Sequence, residues 1–233
     1  MKRLEEKHTL AIRWFHWLNF PILATMIWSG LLIYWANDVY HIHLGSMNIH
    51  LFPGWFYHPK PAALTKKGHA LWHLDYRLAE GMAWHFFFFW LFAVNGVLYV
   101  SYLILSGQWR EVAPKKNSFK DALQVVLHDL HLRKAKPAQS KYNGAQRIAY
   151  TAIVIMGFGS LVTGVAIYKP TQFAWLTRLV GGYETARFLH FWLTMGYVAF
   201  FLVHIMQVVR SGWNNFRSMI TGYALVEEET KQA

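Results

Sequence analysis

Four long stretches of the 233-residue chain contain no Asp, Glu, Lys or Arg. They run from Trp14 to Asn37, Gly81 to Trp109, Ile148 to Tyr168 and Phe188 to Val209. Each can cross the bilayer core as a helix of roughly 20 residues, and backbone groups in lipid must bond within their own segment. The pattern predicts an all-α protein, an integral-membrane four-helix transmembrane bundle with spans near 14–35, 81–106, 148–168 and 188–209.

The connecting segments predict additional interfacial helices. Outer loop 38–80 is aromatic and histidine-rich and ends in a predicted helix near 64–80, whereas inner loop 110–147 places Phe119, Leu123 and Val126 at helical spacing. That second helix lies on the membrane surface or packs on the bundle, and both readings stay open. Residues 1–233 form one predicted domain, and the first apolar stretch is expected to remain as a span rather than a cleaved signal.

Charge predicts the orientation in the membrane. Only 15% of residues are charged, against about 25% in soluble domains. The N-terminal segment, loop 110–147 and the C-terminal tail hold 16 Lys and Arg, whereas loops 38–80 and 169–187 hold 7. The positive-inside bias therefore predicts cytoplasmic termini. The net charge of +11 is explained by topology and contact with anionic lipid, and no nucleic-acid motif is visible.

Four histidines lie inside the predicted spans, where ionisable side chains usually mark a function. His190 and His204 are fourteen residues apart in one span, which places them about 40° apart on one helical face and roughly 21 Å apart along it. Since consecutive spans run in opposite directions, His16 matches the depth of His204, and His85 matches that of His190. The chain contains no cysteine, which excludes thiolate-ligated clusters and covalent heme attachment.

Two pairs of imidazoles from different helices suit two heme b groups that transfer electrons, because both axial positions of each iron are then filled. A metal-ion transporter would instead call for carboxylates within the spans, and a passive membrane anchor would leave the matched histidines unexplained. A self-contained quinol-linked oxidoreductase without a partner also remains open.

Several motifs follow one another in an order typical of one family: RWFHW at 13–17, Ser29-Gly30, KYNGAQRIAY at 141–150, Thr163-Gly164, and the histidines at 190 and 204. The chain resembles the cytochrome b subunits of nickel–iron hydrogenases, formate dehydrogenases (the gamma subunit) and thiosulfate reductases. Because loop 38–80 is long for the hydrogenase pattern, the thiosulfate-reductase-like branch, which is associated with molybdoenzymes, is nearer.

The resemblance implies that His16 and His204 hold an inner heme b, while His85 and His190 hold an outer one. It implies a subunit of the bacterial inner membrane that passes electrons between a periplasmic catalytic or iron–sulfur subunit and membrane quinone, rather than an enzyme by itself. It also implies a quinone near the inner heme, where Arg13, Asn19, Arg147 and Gln207 are polar candidates. For the two arginines, snorkelling from the span ends is the alternative.

Overall fold

The computed structural model describes residues 2–36, 41–44, 47–50, 77–129, 132 and 142–227. Within these ranges most residues are helical, which confirms the all-α fold class. The helices are α1 (Leu10–Ala36), α2 (Leu78–Leu105), α3 (Trp109–Val112), α4 (Ser118–Asp129), α5 (Gly144–Tyr168), α6 (Ala174–Leu179), α7 (Tyr183–Ser211) and α8 (Trp213–Thr221). The strands are β1 (Lys2–Glu6), β2 (His41–Leu44), β3 (Met47–His50) and β4 (Tyr223–Glu227). The helix predicted near 64–80 falls almost wholly outside the described residues.

Helices α1, α2, α5 and α7 are long and apolar enough to cross a membrane, which confirms the four predicted spans. Each begins earlier than predicted, at residues 10, 78, 144 and 183 instead of 14, 81, 148 and 188. An uncharged stretch marks the hydrocarbon layer, but a helix continues into the interface, where long side chains reach water. Helix α5 begins at a capping box, in which Asn143 and Gln146 bond to each other's backbone N–H.

The chain divides into two compact units. The smaller unit is Trp17–Ala93, and the larger unit combines Met1–His16 with Val94–Ala233. In the smaller unit α1 and α2 approach closely at Gly81, where a Cβ atom would lie 2.9 Å from the Cβ of Leu32. Strands β2 and β3 of the same unit pair antiparallel, with His41 opposite His50.

In the larger unit α7 packs on α5, with Gly159 against Leu193 and Gly196 against Met156. Helix α4 packs on the start of α5 because Gly144 carries no side chain. An added Cβ there would overlap the Ser118 carbonyl and lie 2.7 Å from the Cβ of Asp121.

The predicted apolar stripe of α4 stays exposed. Phe119 and Leu123 expose 72% and 60% of their surface, and Val126 exposes 47%. The structure therefore confirms that this helix packs on the bundle through one side, while its contact with the membrane surface through the exposed apolar side stays a prediction.

The two ends of the described chain pair with each other. Strand β1 runs antiparallel to β4, with Lys2 opposite Glu227. The backbone N–H groups of Lys7 and His8 donate to the carbonyl of Gly222 over 2.8 and 3.2 Å. Gly222 has a φ of 92° and ends α8 in the left-handed conformation that glycine adopts readily. Helix α8 and strands β1 and β4, here called the terminal clasp, were not predicted, and they bring residues 2–6 beside residues 223–227.

Replacing Gly144 by Ala is expected to loosen α4 from α5, since the new methyl group meets backbone and Cβ atoms that cannot rotate away. The expected loss is about 1–3 kcal/mol of stability, seen as a lower thermal midpoint of the detergent-purified protein in fluorescence-detected size-exclusion chromatography. Gly96→Ala is the matched control, because a Cβ at Gly96 meets nothing within 4 Å in the described part of the chain. Equal midpoints for the two variants would contradict this packing.

Candidate functional site

The four histidines of the spans lie at similar distances from helix ends. His16 comes six residues after the first residue of α1, and His85 and His190 each come seven residues after the start of α2 and α7. His204 stands seven residues before the last residue of α7. At the rise of an α-helix, each histidine is therefore about 9–11 Å inside its helix.

His16 and His204 come together within the larger unit. Their ring centroids are 6.1 Å apart and their planes are inclined by 56°. The ring of Phe200, one turn before His204, stacks on His204 at 5.6 Å with an interplanar angle of 9°. This stacking limits rotation of the His204 ring. Sequence reasoning missed Phe200, although a residue four positions before a helical histidine shares its face.

His190 contacts α5 in the larger unit through two neighbouring residues. The Thr163 hydroxyl lies 2.9 Å from Nδ1 of His190. A Cβ atom on Gly164 would lie 3.3 Å from Cε1 of the same ring. The histidine ring therefore sits edge-on against a backbone that bears no side chain.

His85 makes the same kind of contact with α1 in the smaller unit. The Ser29 hydroxyl lies 3.0 Å from Nδ1 of His85, and a Cβ on Gly30 would lie 3.3 Å from Cε1. We call each such pair, Ser29-Gly30 and Thr163-Gly164, a hydroxyl–glycine cradle. Both dipeptides stood out in the sequence as family motifs, but their contact with histidine was not predicted.

Residues 7–222 match the family described as prokaryotic cytochrome b561. The chain belongs to that family. A relative from Azospira oryzae named "Putative protein-methionine-sulfoxide reductase subunit YedZ1" is 31% identical over 208 residues, which cover 89% of this chain and 92% of the relative. The resemblance to membrane cytochrome b subunits is thus confirmed.

As a member of this family, the chain is a heme b-binding electron-transfer subunit. It crosses the bacterial inner membrane several times. The histidines fit that cofactor on two structural observations. Metal–imidazole bonds of about 2 Å place two axial ring centroids roughly 6 Å apart, close to the 6.1 Å between His16 and His204. The two cradles leave His85 and His190 beside glycines, where a side chain would crowd the ring.

A site built from three or more His, Cys, Asp or Glu side chains is not found among the described residues. Multidentate metal sites of the kind that a transporter uses draw on such groups. The His16–His204 pair offers the two imidazoles that a heme iron with two histidine ligands takes.

Two of the predicted quinone residues bind other parts of the protein. In the larger unit, Arg13 donates to the carbonyl of Ile220 in α8. Arg147 is 3% exposed and donates to the carbonyls of Arg110 and Ala113, both over 3.3 Å, and it lies 3.5 Å from a carboxylate oxygen of Glu111. These arginines anchor the terminal clasp and the segment around α3, which goes beyond the snorkelling considered from the sequence.

The other two quinone candidates share a relation to the histidines. Asn19 follows His16 by three residues on α1, and Gln207 follows His204 by three residues on α7. Residues three apart lie on one side of a helix. Each amide therefore shares a helix face with one histidine.

Tyrosines cluster near the buried Arg147 in the larger unit. The rings of Tyr142 and Tyr150 meet edge to face at 5.4 Å. Burial, with a further contribution from the Glu111 carboxylate, raises the pKa of the Tyr142 phenol. The phenol therefore stays protonated at neutral pH and can donate a hydrogen bond. Both tyrosines lie in the KYNGAQRIAY motif at 141–150, but the contact between their rings was not predicted.

Proposed function

We propose that this chain is a di-heme electron-transfer subunit with two pairs of axial ligands. His16 and His204 hold the inner heme, and His85 and His190 hold the outer heme. The observation that carries the proposal is the 6.1 Å separation of the His16 and His204 rings, which suits one iron between them. The fourteen-residue spacing of His190 and His204 places the two histidines that α7 would contribute roughly 21 Å apart along that helix.

The second pair rests on helix position. His85 and His190 are each the eighth residue of a helix, and α2 and α7 begin on the same side of the membrane in the proposed topology. Each of the two rings also lies in a hydroxyl–glycine cradle. Equal depth and equal surroundings support their assignment to one heme.

In the proposed electron path, the chain's own residues bind the hemes and keep water away from them. Heme b would supply one-electron chemistry when bound. The four imidazoles would hold the hemes, and the apolar spans would exclude water from them. Helix α7 contributes a ligand to each pair, so a single rigid element keeps their separation constant.

The quinone headgroup belongs near the inner pair. The amides of Asn19 and Gln207 lie one turn from His16 and His204, and amide N–H groups can donate to a quinone carbonyl. Arg13 and Arg147 are the cations of the proposed quinone site. Their hydrogen bonds to backbone carbonyls hold the two side chains in place. Because the proposed quinone site lies near the cytoplasmic face, it can exchange protons with the cytoplasm.

The proposed orientation has both termini in the cytoplasm. Pairing of β1 with β4 supports termini on one face. The excess of Lys and Arg, 16 against 7 in the alternate segments, supports the cytoplasmic face.

A catalytic subunit is proposed to dock on the outer loops 38–80 and 169–187. In the second loop, α6 exposes apolar side chains, with Trp175 at 66% and Leu179 at 75%. Because the Azospira relative is named as a subunit of a protein-methionine-sulfoxide reductase, the proposed partner is a reductase for oxidised methionine in proteins. Electrons then run from quinol to the partner, where two electrons and two protons convert a sulfoxide to a thioether and water.

The purified protein is expected to hold two hemes b per chain in a pyridine hemochrome assay. His85→Ala removes the outer heme and His204→Ala removes the inner one, so each variant keeps one. His128→Gln is the matched control, since His128 lies on α4 outside the four spans, and it keeps both. A wild-type content of one heme, or full content in His85→Ala, contradicts the assignment.

Topology is measured with C-terminal fusions. Green fluorescent protein after residue 233 is expected to fluoresce, and alkaline phosphatase at the same point to be inactive. Phosphatase inserted after Thr171, in the loop before α6, is expected to be active. The reverse pattern would invert the membrane orientation.

Membranes that contain the protein and its native partner are expected to reoxidise quinol-reduced hemes when a protein bearing methionine sulfoxide is added. The same protein with unoxidised methionine is the control and leaves the hemes reduced. His85→Ala abolishes the reoxidation because the outer heme is lost. Hemes that stay reduced with the sulfoxide, yet reoxidise with another acceptor, would show that the partner has a different substrate.

A further inference from the structure

We propose that Ser29 and Thr163 are positioning residues that fix the tautomer of His85 and His190 and thereby set the electron affinity of the outer heme. The inference rests on the proposed function, which makes these two histidines axial ligands of one iron.

The two cradles have the same construction in separate units. In each, a hydroxyl residue directly precedes a glycine on one helix, and both face a histidine on the next membrane-spanning helix of that unit. The hydroxyl oxygen lies 3.0 Å from Nδ1 of His85 and 2.9 Å from Nδ1 of His190. The glycine contact with Cε1 measures 3.3 Å for an added Cβ in both cases.

The residue one turn before each histidine is also small. Gly81 precedes His85, and a Cβ there would press on the Cβ of Leu32. Ala186 precedes His190 and is fully buried. Small residues let the helix backbones approach, which brings each ring within reach of the hydroxyl.

The direction of the hydrogen bond follows from counting protons. A hydroxyl has one proton to donate. The Ser29 hydroxyl lies 2.6 Å from the carbonyl of Thr25, and the Thr163 hydroxyl lies 2.7 Å from the carbonyl of Gly159. Each hydroxyl proton is committed to that backbone carbonyl one turn earlier. The hydroxyl oxygen is then left as an acceptor, so Nδ1 of the histidine carries the proton and donates.

This tautomer leaves Nε2 with its lone pair, as an iron ligand requires. The Ser29 hydroxyl also lies 3.3 Å from the carbonyl of Met26, so a second backbone acceptor competes for its single proton. A ligating imidazole that donates its second N–H is oriented and made more basic, which favours the oxidised, more positive iron.

Loss of either hydroxyl should therefore raise the affinity of the outer heme for an electron. The informative pair is Thr163→Val, which keeps the shape and removes the hydroxyl, and Thr163→Ser, which keeps the hydroxyl. Ser29→Ala tests the other cradle. Ser160→Ala is the control on α5, because it removes a hydroxyl from the same helix three residues before Thr163 and leaves the Thr163 hydroxyl in place.

Each variant is purified, its hemes are counted, and the optical spectrum is followed during a potentiometric titration. At the potential where the wild-type outer heme is half reduced, Thr163→Val and Ser29→Ala are expected to raise the reduced-to-oxidised ratio about two- to fivefold, the order of one neutral hydrogen bond. Thr163→Ser and Ser160→Ala leave that ratio at the wild-type value. Electron paramagnetic resonance of the oxidised protein should show one shifted low-spin signal in the first two variants.

The outcomes separate this inference from the proposed function. An unchanged potential and signal in Thr163→Val, with two hemes still bound, overturns the inference alone. Loss of the outer heme from Thr163→Val with retention in Thr163→Ser supports it, since the hydroxyl is what differs. Should Ser29→Ala and Thr163→Val shift different hemes, the hydroxyls act as proposed but the pairing of His85 with His190 is wrong.

Discussion

Polar groups inside the hydrocarbon layer must find their hydrogen-bond partners within the protein, because lipid offers none. The four long helices satisfy their backbone this way, and the same rule governs the side chains between them. The hydroxyls of Ser29 and Thr163 bond to carbonyls one turn earlier on their own helices. Each hydroxyl thereby becomes an acceptor for a histidine on the next membrane helix of its unit, so that one requirement shapes both the helices and the ligands.

Glycines provide the space in which these side chains and helices come into contact. Gly30 and Gly164 let a histidine ring approach the backbone edge-on, and Gly81 lets two helices come together at the same level of the smaller unit. A membrane gives little hydrophobic drive for helices to associate, so close van der Waals contact between small residues replaces it. The surfaces that receive the His85 and His190 rings are thus the surfaces that hold each helix pair together.

The sequence predicted what depends on composition along the chain and missed what depends on contacts across it. Uncharged stretches located the four spans, and opposite helix directions suggested the pair that the structure brings together, His16 with His204. The starts of the helices were misplaced by three to five residues, because charged side chains reach out of the interface. The role of Arg147 as a buried anchor depends on carbonyls of Arg110 and Ala113, which no local pattern reveals.

The terminal clasp pairs strand β1 (Lys2–Glu6) with strand β4 (Tyr223–Glu227). During synthesis β1 leaves the ribosome before α1, and its partner β4 follows only after α7 and α8. The pairing of Lys2 with Glu227 therefore closes a loop that contains all four long helices, at an entropic cost that rises only slowly with loop length. Strand β1 accordingly cannot find its partner until the segments of all four long helices have been synthesised.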